Sequence, residues 1–351
     1  MEDSPYTEKE GLMVHNFIKK SRNAVTFSHE EIVSLLSFQS NSLESYVIMA
    51  EASRISREVS SNRAEIHAQL AVNLAPCPRD CLFCSFAVTN NIFHTSTVIS
   101  PLDAAAQACQ FERDGANAIY IMATATFDTG QYLELARKIR SHLRPETTMI
   151  ANVGDELAIK AASLKEAGFQ GVYHALRLRE GVDTTIEPNR RIDSIKEFQE
   201  AGLMVGTCVE PIGPEHTNDE LAEMILFTAS INPAFSGAAR RIPIPGTPLA
   251  KRGIISELRL AQIVAITRLA MPRSVKGNCS HEPGTVPIIG GANLLWAEVG
   301  ANPRDIKEKT EEGRGYSAAA IQNLFSETEW QTLDGSSRFF DYRKEWNRVL
   351  Q

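Results

Sequence analysis

The sequence lacks the features that mark a membrane, secreted or nucleic-acid-binding chain. No apolar stretch approaches the roughly 18 residues that a membrane-spanning helix requires. No run of lysine and arginine is present, and the formal net charge of −7 argues against nucleic acid as a partner. The first ten residues are acidic and polar, unlike a secretory signal or a transit peptide. We therefore expect a cytoplasmic protein.

Cysteine is also scarce, with six residues in a chain of 351. Six cysteines cannot staple a chain of this length, which excludes a disulfide scaffold, and thiols in the cytoplasm stay reduced. A group of cysteines in such a chain therefore indicates metal binding. The hydrophobic fraction of 43% and the charged fraction of 23% are typical of a globular protein. The length allows either one large α/β barrel or two ordinary domains.

Three of the six cysteines lie within eight residues of one another: Cys77, Cys81 and Cys84. Their spacing allows one loop to present three thiolates to one metal centre, as iron–sulfur clusters require. Because a four-iron cluster with three thiolate ligands keeps one iron open, it can chelate a small molecule and pass it an electron. The motif, with the aromatic Phe83 before its third cysteine, resembles that of radical S-adenosylmethionine (SAM) enzymes.

A structural zinc site is the main alternative interpretation of this loop, in a module without catalytic activity. Such a site normally has four protein ligands, often in two Cys-x2-Cys pairs. The sequence has no second pair, and His94 is the nearest candidate for a fourth ligand. Core packing of the three cysteines fits poorly with the flanking Pro76, Pro78 and Arg79.

The first 66 residues predict helices only. Two of them span Glu8–Lys19 and Leu43–Val59, and a third begins at Ser28 and ends near Leu36. Ser28 and Glu31 have the spacing of a capping box.

From residue 66 onward, short β-rich apolar runs alternate with longer amphipathic runs. The predicted strands are Ala68–Leu74, Ala118–Thr124, Met149–Val153, Gly171–Leu176, Met204–Val209, Ala238–Ile244, Ser274–Cys279 and Asn293–Ala297. The predicted helices are Leu102–Asp114, Tyr132–Leu143, Glu156–Ala167, Ile192–Ala201, Asp219–Ser230 and Glu257–Ala270. Gly115, Gly168 and Gly202 follow three of these helices, which is a C-cap signal.

Alternating strands and helices predict an α/β fold with a parallel sheet, and a count near eight predicts a (β/α)8 barrel of the TIM type. We expect an N-terminal helical extension over residues 1–66, the barrel over residues 67–302 and a C-terminal helical tail over residues 303–351.

Chemistry in such barrels collects at the C-terminal ends of the strands, and the polar residues of this sequence fall at those ends. A lone histidine more often belongs to a core and a lone arginine to a surface ion pair, but their convergence indicates a site. The residues are Asn152, Asp155, His174, Arg177, Cys208, Glu210, Arg240, Arg241, Asn278, Cys279, His281, Glu282 and Glu298. The candidate catalytic residues among them are His174, Arg177, Cys208, Glu210 and Cys279.

The resemblance to radical SAM enzymes extends over nearly the whole chain. It is carried by the helical stretch that ends in Asn62-Arg63, the cysteine loop, the segment Arg191–Gly202 and the turn Pro245–Leu249. These segments resemble the branch that contains biotin synthase, methylornithine synthase and the iron-only hydrogenase maturase. The resemblance implies a [4Fe-4S] cluster at the barrel mouth, whose open iron chelates SAM. Reductive cleavage of SAM then gives methionine and a 5′-deoxyadenosyl radical, which abstracts hydrogen from a substrate.

By this resemblance, the three cysteines are the cluster ligands, Phe83 lies against the adenine of SAM, and Arg191 pairs with its carboxylate. A guanidinium suits that last role because it is a fixed fork for a carboxylate; the alternative is an exposed helix arginine. Asn152, at the end of strand three, is a further candidate for cofactor binding.

The sequence also departs from biotin synthase. Tyr120, Ile150, Gly206 and Lys276 stand where that enzyme has the three cysteines and the arginine that hold its auxiliary [2Fe-2S] cluster. We therefore do not expect a conventional biotin synthase.

The favoured function is hydrogen abstraction from a small anionic substrate, for example in a carbon-skeleton rearrangement. Arg177, Arg179, Arg240, Arg241 and Lys276 would give the barrel mouth a positive lining. An external electron donor of the flavodoxin or ferredoxin type is expected.

Two other functions stay open. Sulfur insertion of the lipoyl- or biotin-synthase kind would require a second iron–sulfur cluster. Cys208 and Cys279 could hold one only with help from His174, His281 or Glu282. The other function is maturation of a metal cofactor for a partner protein.

Overall fold

The computed structural model describes residues 8–155 and 161–341. Eight parallel strands within them form a closed sheet in sequence order, in which the last strand pairs with the first. The strands are β1 (Arg63–Ala71), β2 (Ala118–Met122), β3 (Thr148–Asn152), β4 (Gly171–Tyr173), β5 (Met204–Gly206), β6 (Phe235–Arg240), β7 (Gly277–Ser280) and β8 (Leu294–Val299). The predicted (β/α)8 barrel is confirmed.

Among the described residues, three α-helices precede β1 and one follows each strand. They are α1 (Glu8–Arg22), α2 (His29–Ser37), α3 (Leu43–Val59), α4 (Pro101–Arg113), α5 (Thr129–Arg140), α6 (Ala161–Glu166), α7 (Pro188–Glu200), α8 (Asn218–Ser230), α9 (Glu257–Ala270), α10 (Thr285–Ile289) and α11 (Ala318–Glu327). The glycines after α4, α6 and α7 have φ of 85°, 96° and 75°, which confirms the predicted C-caps. Part of the predicted helix Glu156–Ala167 lies outside the described residues.

The three N-terminal helices pack on the outside of the barrel. The predicted capping box is present at the start of α2, where Glu31 N donates to Ser28 Oγ at 3.3 Å and Ser28 N donates to Glu31 Oε2 at 2.7 Å. Buried Leu35 shares one apolar cluster with Ile225 of α8 and Ile263 of α9. The amphipathic faces of these helices therefore find their apolar partners on the outer helices of the barrel.

β1 begins at Arg63, five residues before the predicted Ala68. Its first half carries Glu65 and His67, whose polarity argues against a buried strand. The structure buries both and pairs them, with His67 Nε2 at 2.9 Å from Glu65 Oε2. Buried polar groups are tolerated in a strand when they satisfy each other.

The middle strands also differ from their predicted bounds. The chain leaves β5 at Gly206, and after an irregularity a separate short strand, Val209–Ile212, pairs with β6. β6 begins at Phe235 rather than Ala238 and ends at Arg240 rather than Ile244. Prolines at positions 243 and 245 lack the N–H that a continuing strand would need.

The chain after α11 closes the N-terminal end of the barrel. Phe339 and Phe340 are buried in the same apolar cluster as Phe235 and Trp296. Next to them, Ser337 Oγ donates to Glu65 Oε2 at 2.5 Å. The barrel floor is thus completed from within the segment that the sequence assigns to a tail.

The division of the chain at residues 66 and 302 stays a prediction, and residues 342–351 of the predicted tail lie outside the described part. No helix among the described residues is both long and apolar enough to cross a membrane.

Candidate active site

The cysteine loop follows β1 and is fixed by backbone hydrogen bonds. Cys77 N donates to the carbonyl of Phe86 at 2.7 Å, and Cys84 N donates to the carbonyl of Cys81 at 3.1 Å. The buried amide of Asn90 donates to the carbonyls of Cys81 (3.2 Å) and Cys84 (2.8 Å). These bonds close the loop into a defined shape, so its three thiols face one cavity at the barrel mouth.

The donor set fits a polynuclear cluster better than a single zinc ion. At least one pair of the three loop sulfurs is more than 4.8 Å apart, whereas two thiolates on one tetrahedral zinc lie about 3.8 Å apart, given Zn–S bonds of about 2.3 Å. His94, the predicted fourth ligand of a zinc site, is exposed and does not line the cavity. The distances therefore favour the iron–sulfur interpretation.

Burial controls the ionisation of these thiols. It raises the pKa of Cys81 to about 11 and that of Cys84 to about 12. Because a metal binds the thiolate, loading a cluster here must release protons from the loop.

The cavity brings together most of the site residues that the sequence predicts. Its wall contains Cys77, Cys81, Cys84, Phe83, Asn152, Arg177, Arg191 and Glu210. They come from the strand ends at the C-terminal side of the barrel and from the loops and first helical turns that follow them, as the fold requires. His174, Cys208 and Cys279 do not line the cavity.

Arg191, in the first turn of α7, is buried and doubly paired. Its Nη1 lies 2.9 Å from Asp155 Oδ2 and its Nε lies 3.3 Å from Glu180 Oε2. The alternative of an exposed helix arginine is therefore wrong. The two carboxylates hold the guanidinium at the cavity wall.

His174 lies behind this arginine. Its Nε2 is 2.7 Å from Asp155 Oδ1 and 3.4 Å from Arg191 Nη1. Burial lowers the pKa of His174, against the opposing hydrogen bond with Asp155. His174 therefore orients the carboxylate that holds Arg191, and it does not face the cavity.

The cavity wall is rich in positive charge. It contains six arginines and two glutamates: Arg79, Arg177, Arg191, Arg240, Arg241 and Arg304, with Glu210 and Glu298. The predicted positive lining is right for Arg177, Arg240 and Arg241. It is wrong for Lys276, which is not on the wall, and for Arg179, which pairs instead with Glu220 at 2.6 Å.

Several of these arginines have carboxylate partners on the wall or behind it. Arg177 Nε lies 3.7 Å from Glu210 Oε1, and Arg241 Nη2 donates to Glu215 Oε2 at 3.0 Å. Such pairs fix the side chains, so the arginines can face a ligand without reorganising.

Arg304 is a wall residue that the sequence did not reveal. It follows β8 in the segment assigned to the tail, and it pairs with Glu282. Burial, together with the like charge of Arg314, lowers the pKa of Arg304 to about 9. The one signal available was its position just beyond the last predicted strand.

A (β/α)8 barrel with a three-cysteine loop after its first strand and a cavity beside that loop fits the class of radical SAM enzymes that the sequence resembles. Known proteins agree with this assignment, although the chain matches no model of a protein family. It is 26% identical to the biotin synthase of Neorickettsia sennetsu over 258 residues, covering 67% of this chain and 76% of that protein. It is 25% identical to the biotin synthase of Brucella anthropi over 268 residues, covering 71% and 78%.

Two solved structures share the fold over nearly the whole chain. Methylornithine synthase superposes with a TM-score of 0.74 at 13% identity, covering 93% of this chain and 98% of that one. The FeFe-hydrogenase maturase HydG from Carboxydothermus hydrogenoformans superposes with a TM-score of 0.76 at 15% identity, covering 95% and 82%. The chain is thus similar in sequence to biotin synthases and shares its fold with methylornithine synthase and HydG, in agreement with the resemblance found in its sequence.

Two positions at which the sequence departs from biotin synthase, Gly206 and Tyr120, lie in a filled part of the barrel interior. A Cβ atom at Gly206 would be 2.1 Å from the ring of Phe235, so no cysteine fits there. Tyr120 is fully buried, and its hydroxyl lies 2.8 Å from His67 Nδ1.

Proposed function

We propose that Cys77, Cys81 and Cys84 hold a [4Fe-4S] cluster and that the enzyme uses it to cleave SAM and abstract hydrogen from a small anionic substrate. When bound, such a cluster supplies the electron that converts SAM into methionine and a 5′-deoxyadenosyl radical. The main support for this proposal is that the three thiols line the same cavity as Phe83, Asn152 and Arg191.

Arg191 would bind the carboxylate of SAM. Its guanidinium reaches the cavity wall already paired with Asp155 and Glu180, so little side-chain entropy is lost when a ligand binds. Phe83 offers a flat apolar surface for the adenine, and Asn152 offers an amide whose Nδ2 already donates to Gln69 Oε1 at 2.8 Å.

The substrate is proposed to be anionic because the cavity wall has four more arginines than glutamates. Arg177, Arg240 and Arg304 line that wall and lie outside the cysteine loop. Guanidinium groups bind carboxylates and phosphates in a bidentate manner. A carbon-skeleton rearrangement is the favoured reaction of this kind, with a flavodoxin- or ferredoxin-type protein as the electron donor.

The proposal is tested with protein reconstituted anaerobically with iron and sulfide and then reduced. The wild type should convert SAM into 5′-deoxyadenosine and methionine, measured by liquid chromatography. Each of Cys77→Ala, Cys81→Ala and Cys84→Ala should abolish this conversion, whereas Cys109→Ala on α4 should retain it. If any one of the three loop variants still cleaves SAM, the cluster is held elsewhere.

A further inference from the structure

Two buried cysteines meet behind the wall of the cavity. Cys208 follows β5 and Cys279 lies on β7, and their sulfurs are 3.6 Å apart. Both side chains are fully buried and share an apolar cluster with Ala239 of β6, which itself lines the cavity. Cys279 lies on a barrel strand and Cys208 in the short connection between β5 and the strand Val209–Ile212, so the fold brings together residues 71 apart in the sequence.

His281 completes a group of three metal-ligating atoms. One ring nitrogen of His281 and the sulfurs of Cys208 and Cys279 all lie within 4.8 Å of one another. The imidazole is stacked on Trp296, with ring centroids 4.2 Å apart and planes inclined by 17°. Its orientation is therefore fixed by packing, and the ring also lines the cavity.

The imidazole has an unmet bonding capacity. The Nε2 atom of His281 is buried and has no hydrogen-bond partner among the described residues. A buried polar atom without a partner is costly, and each such atom calls for a ligand, a water or an ion.

We propose that Cys208, Cys279 and His281 bind a single divalent metal ion of the zinc type, with its fourth position open to the cavity. Zn–S bonds of about 2.3 Å in tetrahedral geometry place two thiolates about 3.8 Å apart, close to the observed separation. Two thiolates and an imidazole are also the ligand types that zinc prefers, and an open fourth position is the mark of a catalytic site.

A second iron–sulfur cluster fits this group less well. Sulfurs this close together would bind the same iron, so a second iron would need further ligands of its own. The sequence offered His174 and Glu282 for that purpose, but His174 is bonded to Asp155 and Glu282 pairs with Arg304 and Arg314. One ion uses all three ligands and requires no others from the protein.

The ion would give the active site a Lewis acid in the cavity that the cysteine loop also lines. Resting on the proposed function, it would bind an anionic or carbonyl oxygen, or a thiolate, of the substrate within the cavity. The positive arginines of the same wall would then hold the remaining charge of that substrate.

The experiment uses a variant that cannot form the first cluster, Cys77→Ala/Cys81→Ala/Cys84→Ala, stripped with a chelator and titrated anaerobically with Co²⁺. We expect one equivalent of Co²⁺ to bind with the visible bands of tetrahedral cobalt and thiolate-to-metal charge transfer, and Zn²⁺ to displace it.

Adding Cys208→Ala or Cys279→Ala should remove these bands. Adding His281→Phe, which preserves an aromatic ring against Trp296, should weaken binding by more than about 10-fold, since a direct ligand is worth at least as much as the groups that support one.

Cys109→Ala in the same background is the matched control and should leave the titration unchanged. Circular dichroism verifies that each variant is folded. If the triple variant does not fold, elemental analysis of the wild type replaces it: one zinc per chain that is absent in His281→Phe supports the proposal. A folded protein without thiolate–cobalt bands overturns it, and so does acid-labile sulfide that is lost with Cys208→Ala. No SAM is present, so the result is independent of the radical chemistry.

Discussion

Arg191 and Asp155 form a buried ion pair, with Nη1 and Oδ2 2.9 Å apart. The pair is extended by Glu180 on the arginine and by His174 on the aspartate. Removing one member of a buried pair leaves the other charge uncompensated, so such arrangements are sensitive to single substitutions. Here the arrangement holds a guanidinium at the wall of the cavity that also contains the cysteine loop.

The first prediction concerns this guanidinium. Arg191→Ala should weaken SAM binding by about 10- to 100-fold, because a charge-assisted hydrogen bond is worth roughly 1.5 to 3 kcal/mol. Equilibrium dialysis with SAM measures the dissociation constant, and iron analysis should show an unchanged cluster content. Arg191→Lys keeps the charge but loses the fork, so it should bind with intermediate affinity.

Lys196→Ala is the control for Arg191, since it lies on the same helix with its side chain 64% exposed. Its affinity for SAM should equal that of the wild type. An unchanged dissociation constant in Arg191→Ala would remove Arg191 from the SAM site.

The second prediction concerns Asn90, whose amide holds two carbonyls of the cysteine loop. Asn90→Ala should leave these carbonyls without their donor and loosen the loop. Outer groups of this kind typically account for about 10- to 100-fold in metal affinity. Reconstituted Asn90→Ala should therefore lose iron to a chelator faster than the wild type, as followed by absorbance. The neighbour Val88, which is 52% exposed, provides the control. Val88→Ala should lose iron at the wild-type rate, and equal rates in all three proteins would count against the role of Asn90.

The sequence predicts local features of this protein well and long-range ones poorly. The spacing of Cys77, Cys81 and Cys84 and the alternation of strands and helices are properties of short segments. The ion pairs of Arg191 are long-range features, because only the folded barrel brings Asp155 and Glu180 next to it. The first half of β1 was not predicted, because the polar residues Glu65 and His67 argue against a buried strand. They are tolerated there because their side chains are hydrogen-bonded to each other in the fold.

The predicted cavity charges show the same division. Arg177, Arg240 and Arg241 were predicted to line the cavity from their positions at strand ends, and they do. The same prediction was wrong for Arg179, because its side chain is paired with Glu220 of α8 instead. It also missed Arg304, because the path of the chain after β8 depends on the whole barrel mouth.

The third prediction tests the barrel floor. Phe340→Ala and Phe339→Ala should each lower the free energy of unfolding by about 3 to 5 kcal/mol, the usual cost of truncating a buried phenylalanine. Both rings pack in the cluster that contains Phe235 and Trp296. Chemical denaturation under reducing, cluster-free conditions measures the change.

Tyr46→Ala, at a residue 49% exposed on α3, is the control and should stay within about 0.5 kcal/mol of the wild type. Equal stability of the phenylalanine variants and the wild type would mean that the segment after α11 does not close the barrel.

The last prediction concerns the close contact between Gly206 and the ring of Phe235 in the barrel interior. Gly206→Ala should destabilise the protein by about 1 to 3 kcal/mol, because its Cβ would lie 2.1 Å from the ring of Phe235. Phe235→Ala alone should also destabilise it, through the lost aromatic packing. Since the two changes act on one volume, the double variant should be more stable than the sum of the single effects predicts, by about 0.5 to 3 kcal/mol. Gly284→Ala is the control: its φ is 177° and its Cβ would meet only Pro287 Cδ, at 3.6 Å. Since Gly284 is the N-cap of α10, this substitution should cost no more than about 1 kcal/mol. Strict additivity of the Gly206 and Phe235 substitutions would mean that the ring does not occupy this space, and the interior could then accept a side chain at position 206.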